Sequence, residues 1–274
     1  MIELPEALTL AKQLNETVVG KTVSRVLPPT KPHKFCWFNG DPSDYEEKIK
    51  GSRVTQASAF GIFAELLFGN NYRLCINDGV NLRLINTEDK PKDHQLLIEF
   101  TDNTALLFTV AMYGGIVLHD GSYDNEYYLK SKLAVSPFSP EFKEYFKKVI
   151  AESKPSLCAK ALIATEQRFP GIGNGSAQDI LFTAGLHPKR KLGTLSEQDK
   201  DRLLSSIISV LHDISENGGR DTEKDLYGNT GGYATKMSKN ALTAGCPMCG
   251  GTVTKEAYLG GSVYYCSHCQ PHYS

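Results

Sequence analysis

At 274 residues, with 41% hydrophobic and 22% charged positions, the chain is built like a soluble globular protein with room for more than one domain. Its formal net charge of −1 excludes a global attraction to nucleic acid, so any DNA-binding face must be local. Seven cysteines, an odd count with four gathered near the C-terminus, argue against a disulfide framework and for a metal site in a reducing, cytoplasmic compartment.

Met1-Ile2-Glu3-Leu4-Pro5-Glu6-Ala7 opens a helix. Pro5 suits its first turn, and the two acids favour the positive end of its dipole. Leu8, Ala11, Leu14 and Val18 line one side, and Gly20 ends it. Those acids stand where a targeting segment needs cations and an apolar run. The longest mostly apolar stretch, 105–118, is too short and too interrupted by glycine to cross a bilayer, so no membrane partner is expected.

From Lys21 the pattern changes to strands. Short runs at 22–27, 53–59, 62–68, 72–77, 95–100 and 104–110 are rich in β-branched and aromatic residues, and several alternate in polarity. Turn signals separate them, among them Asn39-Gly40-Asp41-Pro42 and Asn77-Asp78-Gly79. Such spacing predicts a β-sandwich or barrel, followed by a linker over 122–140.

The chain then turns helical, with candidates at 142–150, 157–165, 174–184 and 197–217. Between the second and third lies Phe169-Pro170-Gly171-Ile172-Gly173-Asn174. Pro170 stops one helix, and Asn174 is suited to cap the next through its side chain. A helix start with free N–H groups suits a phosphate, and glycines let a DNA backbone come close. By itself the stretch reads equally as an ordinary helical turn. The cations of Lys189-Arg190-Lys191 follow, a run that alone is more often solvated surface. After the last long helix, 220–245 is polar and glycine-rich without a period, the mark of a functional or mobile loop.

Cys246-Pro247-Met248-Cys249, sixteen residues, then Cys266-Ser267-His268-Cys269 form the strongest single signal. Two such knuckles close a tetrahedral, structural zinc site at Cys246, Cys249, Cys266 and Cys269. Gly260-Gly261 suits the turn of a hairpin with strands at 252–258 and 262–265. A redox pair is the weaker reading, because there are two pairs and no thioredoxin-like context. The cysteines at 36, 75 and 158 read as small core residues.

Glu3-Leu4-Pro5-Glu6, Gly171-Ile172-Gly173-Asn174, Leu181-Phe182 with Gly185-Leu186-His187-Pro188, Gly218-Gly219, and the four cysteines with trailing Gln270 occur in this order. Taken together, end to end, they resemble the formamidopyrimidine-DNA glycosylase and endonuclease VIII family. The resemblance implies an α+β multidomain fold. Its parts are a β-sandwich with a leading helix (1–125), a helix-two-turn-helix DNA-binding domain (126–240) and a four-cysteine zinc ribbon hairpin (241–274). It implies a monomer that binds duplex DNA between its halves and flips a damaged base out of the stack. In that family an N-terminal proline attacks the sugar C1′, a Schiff base forms, and elimination cuts the strand. The neighbouring glutamate, here Glu3, moves protons, with Glu6 beside it. Gly173, Asn174 and Lys160 would hold phosphates, Tyr113 would survive as the aromatic wedge, and Arg220, Thr222 and Tyr227 lie where the family touches the extruded base.

The chain departs from that pattern at the chemistry. Ile2 occupies the position of the nucleophilic proline, and isoleucine is too large for removal of Met1. The α-amine then lies up to ~3.5 Å out of place. Misplacement of ~1 Å already costs on the order of a hundredfold. Ile62 replaces a family lysine, Gly261 the hairpin arginine, and Ala111-Met112 an arginine pair. Glu3 remains, and desolvation beside Ile2 is expected to raise its pKa into a useful range. The expected activity is a base-excision glycosylase for oxidised bases with weak or absent strand cleavage. The alternative is a catalytically silent damaged-DNA-binding protein. A zinc-stabilised protein-binding module leaves the Gly-Ile-Gly-Asn turn and the basic cluster unexplained.

Overall fold

The computed structural model describes residues 1–272. Helix α1 (Leu4–Thr17) starts where expected, with Pro5 in its first turn and the Glu3 backbone N–H donating to Glu6 Oε2 at 3.2 Å. Its buried stripe includes Leu4, Ala7, Leu10 and Leu14, and the helix packs against β3 (Val54–Phe60) and β4 (Phe63–Phe68).

These strands belong to one of two facing sheets. The other members of the β half are β1 (Val23–Leu27), β2 (Cys36–Trp37), β5 (Arg73–Ile76), β6 (Val80–Asn86), β7 (Leu96–Phe100), β8 (Thr104–Val110) and β9 (Gly114–His119), with a short helix α2 (Tyr45–Ile49) between β2 and β3. One sheet runs β1-β7-β8-β6 and the other β2-β9-β5-β4-β3. Val26, Ile98 and Phe108 from the first and Leu66, Leu74 and Ile116 from the second share one core, so the expected sandwich is what forms.

Three of these strands lie outside the runs read from the sequence. β6 alternates, with Val80 and Leu82 buried and Asn81 exposed, directly behind the Asn77-Asp78-Gly79 turn. β9 opens on Gly114-Gly115 and is buried throughout, so it shows neither strand-forming residues at its start nor alternation. A Cβ on Gly114 would lie 2.7 Å from Val80 Cγ2, so close packing against the neighbouring turn requires glycine there. β2, at two residues, is too short to pattern.

The expected linker contains helix α3 (Glu126–Lys132). Its Tyr128 packs with Ile62, Phe63, Cys75 and Val117, so the boundary drawn at 126 falls ahead of a helix that rests on the sandwich. The helical half comprises α4 (Phe142–Glu152), α5 (Ala159–Ala164), α6 (Asn174–Thr183) and α7 (Glu197–Glu216) around Phe142, Phe146, Phe169, Ile180, Leu203 and Ile207. A one-turn helix α8 (Ala241–Ala244) leads to the hairpin of β10 (Thr254–Tyr258) and β11 (Gly261–Tyr265). Its turn is Leu259-Gly260, both at positive φ, one residue ahead of the Gly-Gly expected.

The stretch 220–245 is ordered rather than structureless. Leu226 is wholly buried in the sandwich core, and its carbonyl accepts from Leu84 N–H at 3.0 Å. Gln13 of α1 donates to Asp225 at 2.9 Å and accepts from Leu226 N–H at 2.9 Å. The segment therefore stitches the helical half to the β half.

Candidate nucleic-acid cleft

The start of α6 sets the geometry of the site. Its N-cap residue is Gly173, and Asn174 is the first helical position, so Asn174 does not cap its own helix. The cap comes from the other end of the chain. Glu3 Oε1 accepts from Gly175 N–H at 2.8 Å, and Glu3 Oε2 accepts from Ser176 N–H at 2.9 Å and from the Ser176 hydroxyl. A carboxylate at a helix N-terminus is favoured by both free N–H groups and the dipole. The N–H groups expected to face a phosphate are thus largely taken by Glu3.

The glycines have the same cause. A Cβ on Gly173 would lie 2.5 Å from Glu3 Oε1, one on Gly171 2.6 Å from Leu4 Cβ, and one on Gly175 only 1.4 Å from Arg220 Nη1. They make room for the chain's own N-terminus and for Arg220, not for DNA as the sequence suggests.

Arg220 also departs from its expected place beside an extruded base. It is 3% exposed. Its Nη1 donates to Glu3 Oε1 at 3.0 Å, Nε and Nη2 to the Glu6 carboxylate at 2.9 and 3.0 Å, and Nη2 to the Met1 carbonyl at 3.0 Å. Burial pushes the Glu3 pKa up. The Arg220 guanidinium and the Ser176 and Gly175 donors outweigh it, and the pKa ends below the usual carboxylate value. The expected upward shift is therefore reversed. Glu3 is locked as a carboxylate with its lone pairs occupied, and Glu6 is the second arm of the same clamp.

Above this clamp lies a cleft of about 930 Å³ between the two halves. Met1, Ile2, Ile62 and Tyr113 line it from the β half, Gly173 and Asn174 from α6, and Gly260 and Gly261 from the hairpin tip. Ile2 itself is mostly buried, and its N–H donates to the Asp78 carbonyl at 2.6 Å. The Met1 ammonium sits 2.5 Å from Glu223 Oε2. A smaller hollow of about 320 Å³ adjoins, lined by Asn81, Thr222 and Lys224 and sharing Met1, Ile2, Asp78 and Met112 with the cleft. Tyr227 lines a different depression, with Thr9 and His212, away from both.

The hairpin tip is tied to the cleft by two of the residues expected to hold phosphates, Lys160 and Asn174. Lys160, largely buried, donates through Nζ to the Tyr258 carbonyl at 2.6 Å, and burial lowers its pKa. Asn174 Nδ2 donates to the Ser262 carbonyl at 3.1 Å. At the base of the hairpin the sulfurs of Cys246, Cys249, Cys266 and Cys269 lie within 4.8 Å of one another. Cys246 and Cys269 are 3.8 Å apart and Cys249 and Cys266 3.6 Å. Four sulfurs ~2.3 Å from a common centre at tetrahedral angles would be separated by about 3.8 Å, so the group fits a metal ion. Gln270, wholly buried, accepts from Cys266 N–H at 3.1 Å and donates to the Leu186 carbonyl at 2.9 Å, fixing the knuckle behind α6.

Asp78, Glu223, Ser176 and Trp37 were not singled out from the sequence. Asp78 announces itself only as the centre of a turn signal, and the other three carry no local pattern.

Fold and cleft define a two-lobed protein with a cleft between its halves and a four-cysteine hairpin at its rim. Residues 1–126 match the family described as "Formamidopyrimidine-DNA glycosylase N-terminal domain", and along its whole length the chain is similar to proteins named formamidopyrimidine-DNA glycosylase. It is 27% identical to a formamidopyrimidine-DNA glycosylase of Exiguobacterium sp. over 98% of this chain and 99% of that one. It is also 27% identical to the enzyme of that name from Mycobacterium leprae, over 99% of each. Among solved structures, Lactococcus lactis Fpg bound to abasic-site DNA is similar with a TM-score of 0.84 at 21% identity, covering 98% of this chain and 100% of that one. The same protein with DNA containing N7-benzyl-Fapy-dG gives 0.83 at 22%, with the same coverage. These structural likenesses establish the fold. Among the described residues no helix is long and apolar enough to cross a membrane.

Proposed function

We propose that the protein is a DNA glycosylase of base excision repair, which binds duplex DNA in the cleft, turns an oxidised base out of the stack and releases it. The observation that carries this reading is the convergence of the chain's first residues, the Gly171–Asn174 turn and the hairpin tip on one cleft of about 930 Å³. The adjoining hollow would take the extruded base, with Asn81, Thr222 and Lys224 offering donors and acceptors. Relatives named formamidopyrimidine-DNA glycosylase, and neighbours solved with abasic-site and Fapy-dG DNA, support the same substrate class.

Release is hydrolytic and leaves the strand uncut. Ile2 nitrogen is an amide that donates to Asp78, and the Met1 ammonium is paired with Glu223, so no free amine faces the cleft in the place of the family's proline. Glu3, Glu6 and Arg220 hold the floor of the site in shape. Lys160 and Asn174 brace the hairpin against DNA phosphates, and Tyr113 fills the gap behind the flipped base. The four cysteines hold a zinc ion, whose role is to rigidify the hairpin.

The test uses duplexes carrying an oxidised purine or pyrimidine. The expected result is base release revealed by strand breakage only after hot alkali, with no covalent adduct on borohydride reduction. Wild-type protein that releases no base from any duplex in such a panel would overturn the reading.

A further inference from the structure

The family resemblance assigns proton transfer to Glu3, yet in this chain Glu3 accepts four hydrogen bonds and is 2% exposed. A group in that state has no lone pair with which to receive a proton from water. The remaining carboxylates around the cleft are also engaged. Glu126 pairs with Lys130 and Glu166 with Arg168, both at the solvent-exposed rim of the cleft, and Glu223 pairs with Met1. Asp78 is the exception. Among the described residues no donor hydrogen-bonds its carboxylate.

Its position is as telling as its lack of partners. Asp78 lines the cleft and the adjoining hollow, and so stands where one opens into the other. In the proposed function, that junction is where the sugar C1′ and the glycosidic bond of a flipped nucleotide would lie. The backbone there is held on three sides. Its carbonyl accepts from Ile2 N–H at 2.6 Å, Gly79 N–H donates to the Tyr113 carbonyl at 2.9 Å, and Asn77 Oδ1 accepts from Gly115 N–H at 2.7 Å. At φ 52° Asp78 adopts a left-handed conformation that aspartate and asparagine tolerate better than other side chains.

We propose that Asp78, in place of Glu3, is the proton acceptor that activates water for base release. This rests on the glycosylase reading above. Water oxygen forms a bond to C1′ while the C1′–N bond breaks and its electron pair leaves with the base. Asp78 takes one water proton and returns it, through solvent, to the departing base nitrogen. The products are the free base and an abasic hemiacetal, with no other reactant.

Burial raises the Asp78 pKa to about 6, partly opposed by the Met1 ammonium. The groups facing it are Met1 from the chain start, Tyr113 ahead of β9, Tyr127 on α3, and Glu223 and Lys224 from the 220–245 segment. Because the charged form is the base, the rate falls as pH drops through about 6.

The deciding experiment compares wild type, Asp78→Asn and Glu3→Gln on a duplex carrying Fapy-dG, with binding measured on a tetrahydrofuran abasic analogue. Asparagine keeps the turn, and it removes a carboxylate that burial disfavours, so Asp78→Asn should melt no lower than wild type at neutral pH. Base release should fall by about 10²–10⁴-fold, the usual contribution of a general base, with binding to the analogue unchanged. The acidic limb near pH 6 should vanish from the residual activity. If wild type releases the base and Asp78→Asn matches it within a few-fold, the assignment is wrong and the glycosylase reading stands. An inert wild type, by contrast, sinks both.

Discussion

Arg220 Nη1 donates to Glu3 Oε1 at 3.0 Å, so the third residue of the chain and the first residue beyond the Gly218-Gly219 stop meet in a buried ion pair. The same guanidinium reaches Glu6, and Glu3 in turn caps α6. One cation thereby joins the β half, the 220–245 segment and the turn that floors the cleft. Replacing it with methionine keeps much of the volume but leaves two buried carboxylates without their cation. Breaking a buried pair this way costs about 3–5 kcal/mol. Arg220→Met should therefore lower the urea midpoint by a corresponding amount and weaken DNA binding as the cleft loosens. Unfolding curves that overlay wild type would show that the clamp contributes nothing.

Acid stability follows from the same contact. Burial opposes the charged form of Glu3, but Arg220 and the α6 N–H groups hold its folded pKa below the unfolded value. A depressed carboxylate pKa contributes stability that is fully present above the unfolded value, about 4.3. It is lost as pH falls through the folded value. Stability should thus decline below about pH 4, and Glu3→Gln should flatten that decline while lowering stability at pH 7. Equal pH profiles for the two proteins, followed by thermal unfolding, would contradict the shift.

Much of the architecture is legible locally, and the exceptions share a physical cause. α1 and α7 show a helical stripe, and Cys246 to Cys269 carry their ligand spacing openly. Asn174 invites a capping role by a rule that considers only its neighbours. The cap is decided by Glu3, which arrives from a different part of the fold and brings a full charge. Gly171, Gly173 and Gly175 likewise record a close approach, and glycine says that something comes near without saying what. Asp78 looks like any turn aspartate until Ile2 and Tyr113 close around it. Tertiary contacts between segments far apart in the chain leave no period to read.

Metal removal should act on one lobe and be felt in the cleft. The knuckles, Phe182 and Met237 form a small core of their own, and the hairpin reaches the cleft through Lys160 and Asn174. Purified protein should carry one zinc per chain by elemental analysis. Chelation, or Cys249→Ser, should abolish DNA binding while the sandwich core still unfolds cooperatively, because metal-site free energy is folding free energy for such a small unit. Protein that carries no metal, or that binds DNA equally well after chelation, would remove the hairpin from the interface.

Trp37 offers a direct view of how DNA would lie. It is the chain's one tryptophan, 51% exposed, with its ring 6.2 Å from that of Tyr113 on the cleft wall. β2 pairs with β9 here, so this pair of aromatics is carried on a sheet edge beside the cleft. An indole left in water next to a nucleic-acid cleft is a platform on which a base can stack, a contact typically contributing about 1–3 kcal/mol per base. Titrating a duplex with an abasic analogue should quench tryptophan emission, saturating at the concentration at which binding saturates by gel shift. Trp37→Ala should weaken binding by roughly tenfold or more, in keeping with stacking of that size, whereas Trp37→Phe should abolish the fluorescence signal and keep most of the affinity. Emission that stays constant while the duplex binds would mean that DNA runs along a different edge of the cleft, with Trp37 outside the contact.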